Sequence, residues 1–168
     1  MQQPGVVEIC QATLADTQLI ASLRLRALRD APGAFLSRYE DYPELGHEDW
    51  QKVVTQWTRP PDNAVFVATQ GEFGVGMCGG FELTPERVML VAMWVIPELR
   101  GSPVARQLVG HVLDFARGRG VADVGAWVVE DNHRAMRFYR KHGFEPDGTR
   151  QAYEPEPDKD ELLIVRTL

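Results

Sequence analysis

Arg100, Gly101, Ser102 and Ala105 lie in the run V-I-P-E-L-R-G-S-P-V-A-R-Q-L, residues 95–108. Gly101, Ser102 and Ala105 are small enough to let an anion approach the backbone, and Arg100 adds a positive charge beside them. The run passes from a strand-like stretch through an Arg-Gly turn into a helix. Ser102 suits the N-cap and Pro103 the first helical position. Proline has no amide to offer, but that amide is one the helix could not use internally. The amides of Val104 and Ala105, with that of Ser102 or Gly101, point out of the helix start, where the helix dipole favours negative charge. Taken alone, the run reads either as a phosphate site or as a capped helix, since Ser-Pro is common punctuation at a helix start.

A second cluster fills residues 128–144, V-V-E-D-N-H-R-A-M-R-F-Y-R-K-H-G-F. Asn132 or Asp131 caps a helix. Ala135, Phe138, Tyr139 and His142 follow at i, i+3, i+4 and i+7 and share one face. Gly143 suits the left-handed position that ends a helix, and Phe144 packs back onto it. Capping and packing account for most of these residues. They do not account for a tyrosine at 139, where leucine would pack as well.

Hydrophobic periodicity indicates the elements that hold the two clusters. Strand patterns cover 6–9, 64–69, 74–83, 88–95 and 123–129, with late strands near Phe144 and over 162–168. Helical spacing starts at Thr13 and stops at Ala31-Pro32-Gly33, and recurs over 47–57, 103–117 and 132–142. Residues 153–160 read as a loop between two strands. The order β-α-α-β-β-β-α-β-α-β-β predicts a single domain over 1–168. Its class is mixed α/β (α+β), with a sheet partly antiparallel and partly parallel.

Composition bounds the function classes. With 44% hydrophobic and 25% charged residues, the 168-residue chain has an ordinary globular balance. A net charge of −6 argues against a nucleic-acid surface, which would need to be basic. No apolar run is long enough for a membrane helix, and the first ten residues lack a signal-peptide pattern, so a cytoplasmic protein without a membrane partner is expected. Cys10 and Cys78 are then expected to be reduced core thiols. His47, His111, His133 and His142 form no ligand set with zinc spacing, so no metal is expected.

Val95-x-Pro97-x-x-Arg100-Gly101, a helix, and then Asn132-x-x-Ala135-x-x-Phe138-Tyr139-x-Lys141-x-Gly143-Phe144 resemble the GNAT superfamily of acyl-CoA-dependent N-acyltransferases. The strand and helix order extends the likeness over nearly the whole chain. A less specific part of it is the run from Arg26 to Phe35, with Trp50 later. The resemblance implies a central sheet with helices on both faces and a V-shaped split between the fourth and fifth strands. It implies acetyl-CoA as cosubstrate and transfer of the acetyl group to a primary amine by direct attack. The acceptor would be a small molecule or a peptide. A non-catalytic acyl-CoA binder on the same fold is the alternative, and a homodimer is common in the family.

Residue by residue, the resemblance places the coenzyme A pyrophosphate on Arg100, Gly101, Ser102, Pro103, Val104 and Ala105. Pro103 stands where the family has glycine, which removes one amide. Trp94, Val95 and Ile96 would flank the pantetheine arm, with an amide near Val95 polarising the thioester carbonyl. Asn132 and Ala135 would lie beside the arm. Tyr139 would stand near the sulfur and protonate the departing thiolate. Many members carry a glutamate early in the fourth strand as general base; here the position holds Met89. Glu82 is the nearest replacement, with Glu40, Asp41 or a water chain as others. Trp94 and Trp127 would shape the acceptor pocket. Aromatics and acids between Pro32 and Trp57, and the loop 150–160, would form its variable wall.

Overall fold

A computed structural model describes residues 5–35, 37, 39–42 and 44–168, the side chain of Asp41 excepted. The expectation for Asp41 as an acid therefore lies outside the described residues, as does the very start of the N-terminal reading.

Eleven elements follow in the expected order. They are β1 (Val7–Gln11), α1 (Thr17–Asp30), α2 (His47–Trp57), β2 (Asn63–Gln70), β3 (Phe73–Thr84) and β4 (Arg87–Val95). After these come α3 (Val104–Arg119), β5 (Asp123–Val129), α4 (His133–Lys141), β6 (Glu145–Ala152) and β7 (Asp160–Thr167). The start of the first helix differs slightly from the periodicity. Thr13 and Asp16 form a reciprocal capping box on one 3₁₀ turn, and α1 grows from its end.

The strands form one seven-stranded sheet in the order β1-β2-β3-β4-β5-β7-β6. All neighbours are antiparallel except β4 and β5, which are parallel. Strand alternation divides the core between two faces. Along β2, Ala64, Phe66 and Ala68 point to one face and pack with Leu108, Val109 and Val112 of α3. Val65 and Val67 point to the other and pack with Ile20 and Leu23 of α1 and Val54 of α2. Helices therefore cover both faces, as expected. Glycines in β3 bring them close. A Cβ on Gly80 would stand 3.1 Å from Val112 and Phe115 of α3, and one on Gly74 only 2.6 Å from Leu19 of α1.

The parallel pair sets up the site. Arg87, Val88 and Met89 pair with Asp123, Val124 and Gly125, and the pairing stops there. Met77 pairs with Trp94 and Gly79 with Val91, so Ala92 and Met93 together stand opposite Cys78. That extra residue is a β-bulge, with Ala92 in the left-handed region at φ 52°. It bends β4 away from β5 and opens the V-shaped split.

Candidate active site

The split opens into a cavity of about 750 Å³, walled by β4, β5, α1, the loop before α3, and α4. Val95 stands where it narrows. The amide of Ile96 donates to the carbonyl of Val75 on β3 at 2.9 Å. Successive residues of a strand direct their amides to opposite edges. The Val95 amide therefore faces the open edge, where β5 has already left. Its carbonyl faces the same way and accepts a bond from Arg100 Nε at 3.2 Å. A thioester oxygen laid in the cleft would meet a donor that no strand uses.

At the mouth, the chain turns at Gly101 with φ 83°, a conformation that suits glycine, and open space surrounds its missing side chain. Pro103 already has helical dihedrals, and α3 begins at Val104. Ser102 Oγ donates to the Leu99 carbonyl at 2.6 Å and accepts from the Val104 amide at 3.4 Å. The Ser102 amide is used by the Leu99 carbonyl. Across residues 100–106, the amides left without an acceptor are those of Gly101, Ala105 and Arg106. Of the expected amides, those of Gly101 and Ala105 stay free, whereas Ser102 and Val104 are spent on closing the turn and capping the helix, and Arg106 joins the free set. Ser102, Pro103, Val104 and Ile96 do not line the cavity, whereas Trp94, Val95, Arg100, Gly101 and Ala105 do.

The guanidinium of Arg100 is not a loose phosphate ligand. It is ion-paired with Asp30 at the end of α1, which also accepts Trp94 Nε1 at 2.9 Å. The Trp94 and Arg100 hydrogen bonds hold the Asp30 carboxyl below its ordinary range, so it stays ionised. Uncommitted positive charge comes instead from α4. Arg134, Arg137 and Lys141 line the cavity and make no ion pair among the described residues. The sequence carries these cations openly, but helix-surface arginines give no sign of which face they serve.

Asn132 caps α4 by accepting the Ala135 amide at 3.2 Å, and both residues line the cavity. Tyr139 lies on the same wall, 7% exposed, with Phe138 and Phe144 edge-on to its ring. Burial pushes its phenol well above the usual range, so it stays protonated at ordinary pH. Cys78, sealed in the core, is likewise pushed up by burial and stays a thiol.

The structure does not bring Glu82 to the cavity. It sits at the far end of β3, ion-paired with Arg119 of α3 at 2.6 Å. Glu40 is also off the cavity wall. Met89 lines it, and so does an acid that the sequence reading missed, Glu161. Glu161 is 3% exposed, pairs across the sheet with Val129, and accepts from Gln151 Nε2 at 2.5 Å. Among the described residues, Asp30 and Glu161 are the only acids on the wall.

Of the expected acceptor-side aromatics, Trp94, Trp127 and Phe35 reach the cavity. Tyr42 and Trp50 stack on each other at 5.3 Å and serve packing. Tyr153, in the loop before β7, donates to the Phe35 carbonyl at 2.6 Å and ties the two variable segments together.

A parallel pair parted by a bulge, with free helix amides at its mouth, is the architecture implied by the sequence resemblance. Residues 23–144 match the Acetyltransferase (GNAT) family, and the chain belongs to it. It is 33% identical over 81 residues to an uncharacterised N-acetyltransferase of Mycobacterium tuberculosis, covering 48% of this chain and 52% of that one. It is 27% identical over 118 residues to streptothricin acetyltransferase of Streptomyces lavendulae, covering 70% and 62%. The matches therefore span about half to three fifths of these curated relatives. The fold is similar to that of the PaiA N-acetyltransferase from Thermoplasma acidophilum in complex with coenzyme A. That likeness has a TM-score of 0.75 at 15% identity, over 97% of this chain and 99% of the other.

Proposed function

We propose that the protein transfers an acetyl group from acetyl-CoA to a primary amine by direct attack within a ternary complex. The observation that carries this reading is the gap beyond Met89 and Gly125, with the Val95 amide turned into it. The Gly101, Ala105 and Arg106 amides would receive the pyrophosphate, with the α4 cations adding charge. Trp94, Val95, Asn132 and Ala135 would flank the pantetheine arm. The Val95 amide would bond the thioester oxygen more strongly as it becomes an oxyanion.

Glu161 is the candidate base. Its carboxylate would take a proton from the substrate ammonium, the freed amine would form the new N–C bond, and the C–S bond would break. Tyr139 would pass its proton to the departing thiolate and be reprotonated by the second proton that the new amide nitrogen sheds. No covalent enzyme intermediate is needed. This fits a chain in which Cys78 is a sealed thiol, while Cys10, exposed on the edge strand β1 and not in the core as expected, stands off the cavity wall.

Calorimetric titration with acetyl-CoA and with ATP tests the ligand class. Free-thiol release across a panel of amines then tests the activity. Binding of ATP without coenzyme A would overturn the reading, and acetyl-CoA binding with no amine-dependent thiol release would favour a non-catalytic binder.

A further inference from the structure

Resting on the proposed reaction, we infer that the amine acceptor also carries a carboxylate, and that Arg24 receives it. Arg24 lies in α1 and is 7% exposed, yet it lines the cavity. Its guanidinium sits over three aromatic rings: Phe35 at 5.0 Å, Trp57 at 5.6 Å and Tyr42 at 5.9 Å. Among the described residues it makes no ion pair and no hydrogen bond, and its Nε is sealed from solvent without an acceptor. Its neighbours on the helix differ. Arg26 donates to the Gly74 carbonyl at 2.8 Å, and Arg29 donates to the Tyr39 hydroxyl.

A buried cation is ordinarily paired, because leaving water is costly without a partner. The aromatic faces attract the charge and hold the guanidinium plane, but they cannot satisfy its five N–H donors. What remains is half of an ion pair, held rigid in the wall of a ligand cavity. The planar fork of N–H groups matches a carboxylate bidentately.

Arg24 is also in the right part of the cavity. It precedes Asp30, the residue that clamps Arg100 at the cofactor loop, by six residues of α1. At 1.5 Å per residue that is ~9 Å along the helix axis. Two of its ring partners, Phe35 and Trp57, line the cavity with it. Phe35 is tied to the 153–160 loop through Tyr153. Glu161, at the end of that loop, is the carboxylate available to the ammonium. The pocket therefore offers an anion for the amine, a cation for a carboxylate, and aromatic rings beside the cation. An amino-acid-like acceptor, or a peptide with both groups within reach, fits this charge pattern. A polyamine does not, since it would place positive charge against Arg24.

The test compares kcat/KM for free amino acids, each paired with its carboxamide and its decarboxylated amine, in the wild type and in Arg24→Met. Acetyl-CoA affinity is measured in parallel by calorimetry. The wild type should favour the best carboxylate over its amide by about 10²-fold, because the amide keeps one acceptor but loses one charge-assisted bond. Arg24→Met should bring that ratio near one while leaving acetyl-CoA affinity unchanged. Arg24→Lys keeps the charge but not the fork and should retain an intermediate ratio, which provides a second variant if the methionine disturbs folding. Equal turnover of acids and amides by the wild type, preference for carboxylate-free amines, or a ratio that survives Arg24→Met would each overturn the inference. Those results leave the acetyltransferase reading intact. Failure to bind acetyl-CoA would remove that reading, and this inference with it.

Discussion

Met89 and Gly125 form the last backbone pair between β4 and β5, and the candidate site begins immediately beyond them. Met89 occupies the place where the family resemblance implied a catalytic glutamate, and it fills the closed end of the cleft. A Cβ on Gly125 would stand 3.1 Å from the Met89 sulfur and 3.3 Å from Leu163. This end of the split is packed, so on the proposed reaction an acid would have to reach the amine from elsewhere.

On the proposed reaction, Glu161 on the cavity wall is the acid that would do so. Glu161→Gln should lower kcat/KM by about 10²-fold at neutral pH, the lower range for loss of a general base. Glu82→Gln should leave kcat/KM within about twofold, since Glu82 is occupied by Arg119 off the cavity wall. Steady-state kinetics of the two variants with one amine decide between them. A large loss in Glu82→Gln alone would reverse the assignment.

Tyr139→Phe should reduce kcat by about 10²-fold while leaving coenzyme A affinity nearly unchanged, because the ring packing survives and the proton donor does not. Burial raises the phenol pKa, so the wild-type kcat profile should show no fall from Tyr139 near the ordinary phenol value of about 10. The same burial has a consequence for stability. Groups whose folded pKa is raised stabilise the fold below their unfolded pKa, and that contribution is lost as pH rises. Cys78 and Tyr139 both belong to this class, so denaturant midpoints should fall as pH passes about 8.5 and again past about 10. Cys78→Ala should flatten the first part of that decline.

The loop before α3 invites a paired comparison. Gly101→Ala forces a side chain into a left-handed conformation, a strain of about 1–2 kcal/mol, and should weaken coenzyme A binding about tenfold. Pro103→Gly should keep coenzyme A affinity within about threefold, because Pro103 is off the cavity wall. It should cost about 0.4–1 kcal/mol of stability through added freedom in the unfolded chain. Titration calorimetry and thermal unfolding read both effects.

Asp30 and Arg100 join the end of α1 to the loop before α3. A double-mutant cycle on Asp30→Ala and Arg100→Ala should give a coupling of about 1–3 kcal/mol at neutral pH. The Asp30 pKa is lowered on folding. Its contribution is therefore complete above the ordinary aspartate value of about 4 and is lost as pH falls below it. Repeating the cycle at pH 7 and near pH 3 checks the sign.

Much of this was legible in the chain. Periodicity gave the element order, and the two motifs located the helix starts that flank the cleft. What escaped depends on partners distant in sequence. Arg100 reads as a phosphate ligand until Asp30, 70 residues earlier, is seen to hold it. Arg24 sits in the ordinary helical run R-L-R-A-L-R. Only the convergence of Phe35, Tyr42 and Trp57 from other segments makes it a buried cation. Glu161 opens an apolar strand, and its position is set by a register opposite Val129 that no local pattern encodes. The bulge at Ala92 has no local signal either, since alanine rarely adopts a left-handed conformation.

The most direct test of the account is a crystal structure with acetyl-CoA bound, read for the distance between the Val95 amide nitrogen and the thioester oxygen. The account predicts about 2.9 Å, with the sulfur beside the Tyr139 hydroxyl and the pyrophosphate on the Gly101, Ala105 and Arg106 amides. A thioester lying outside the β4–β5 gap, with Val95 facing only water, would contradict it.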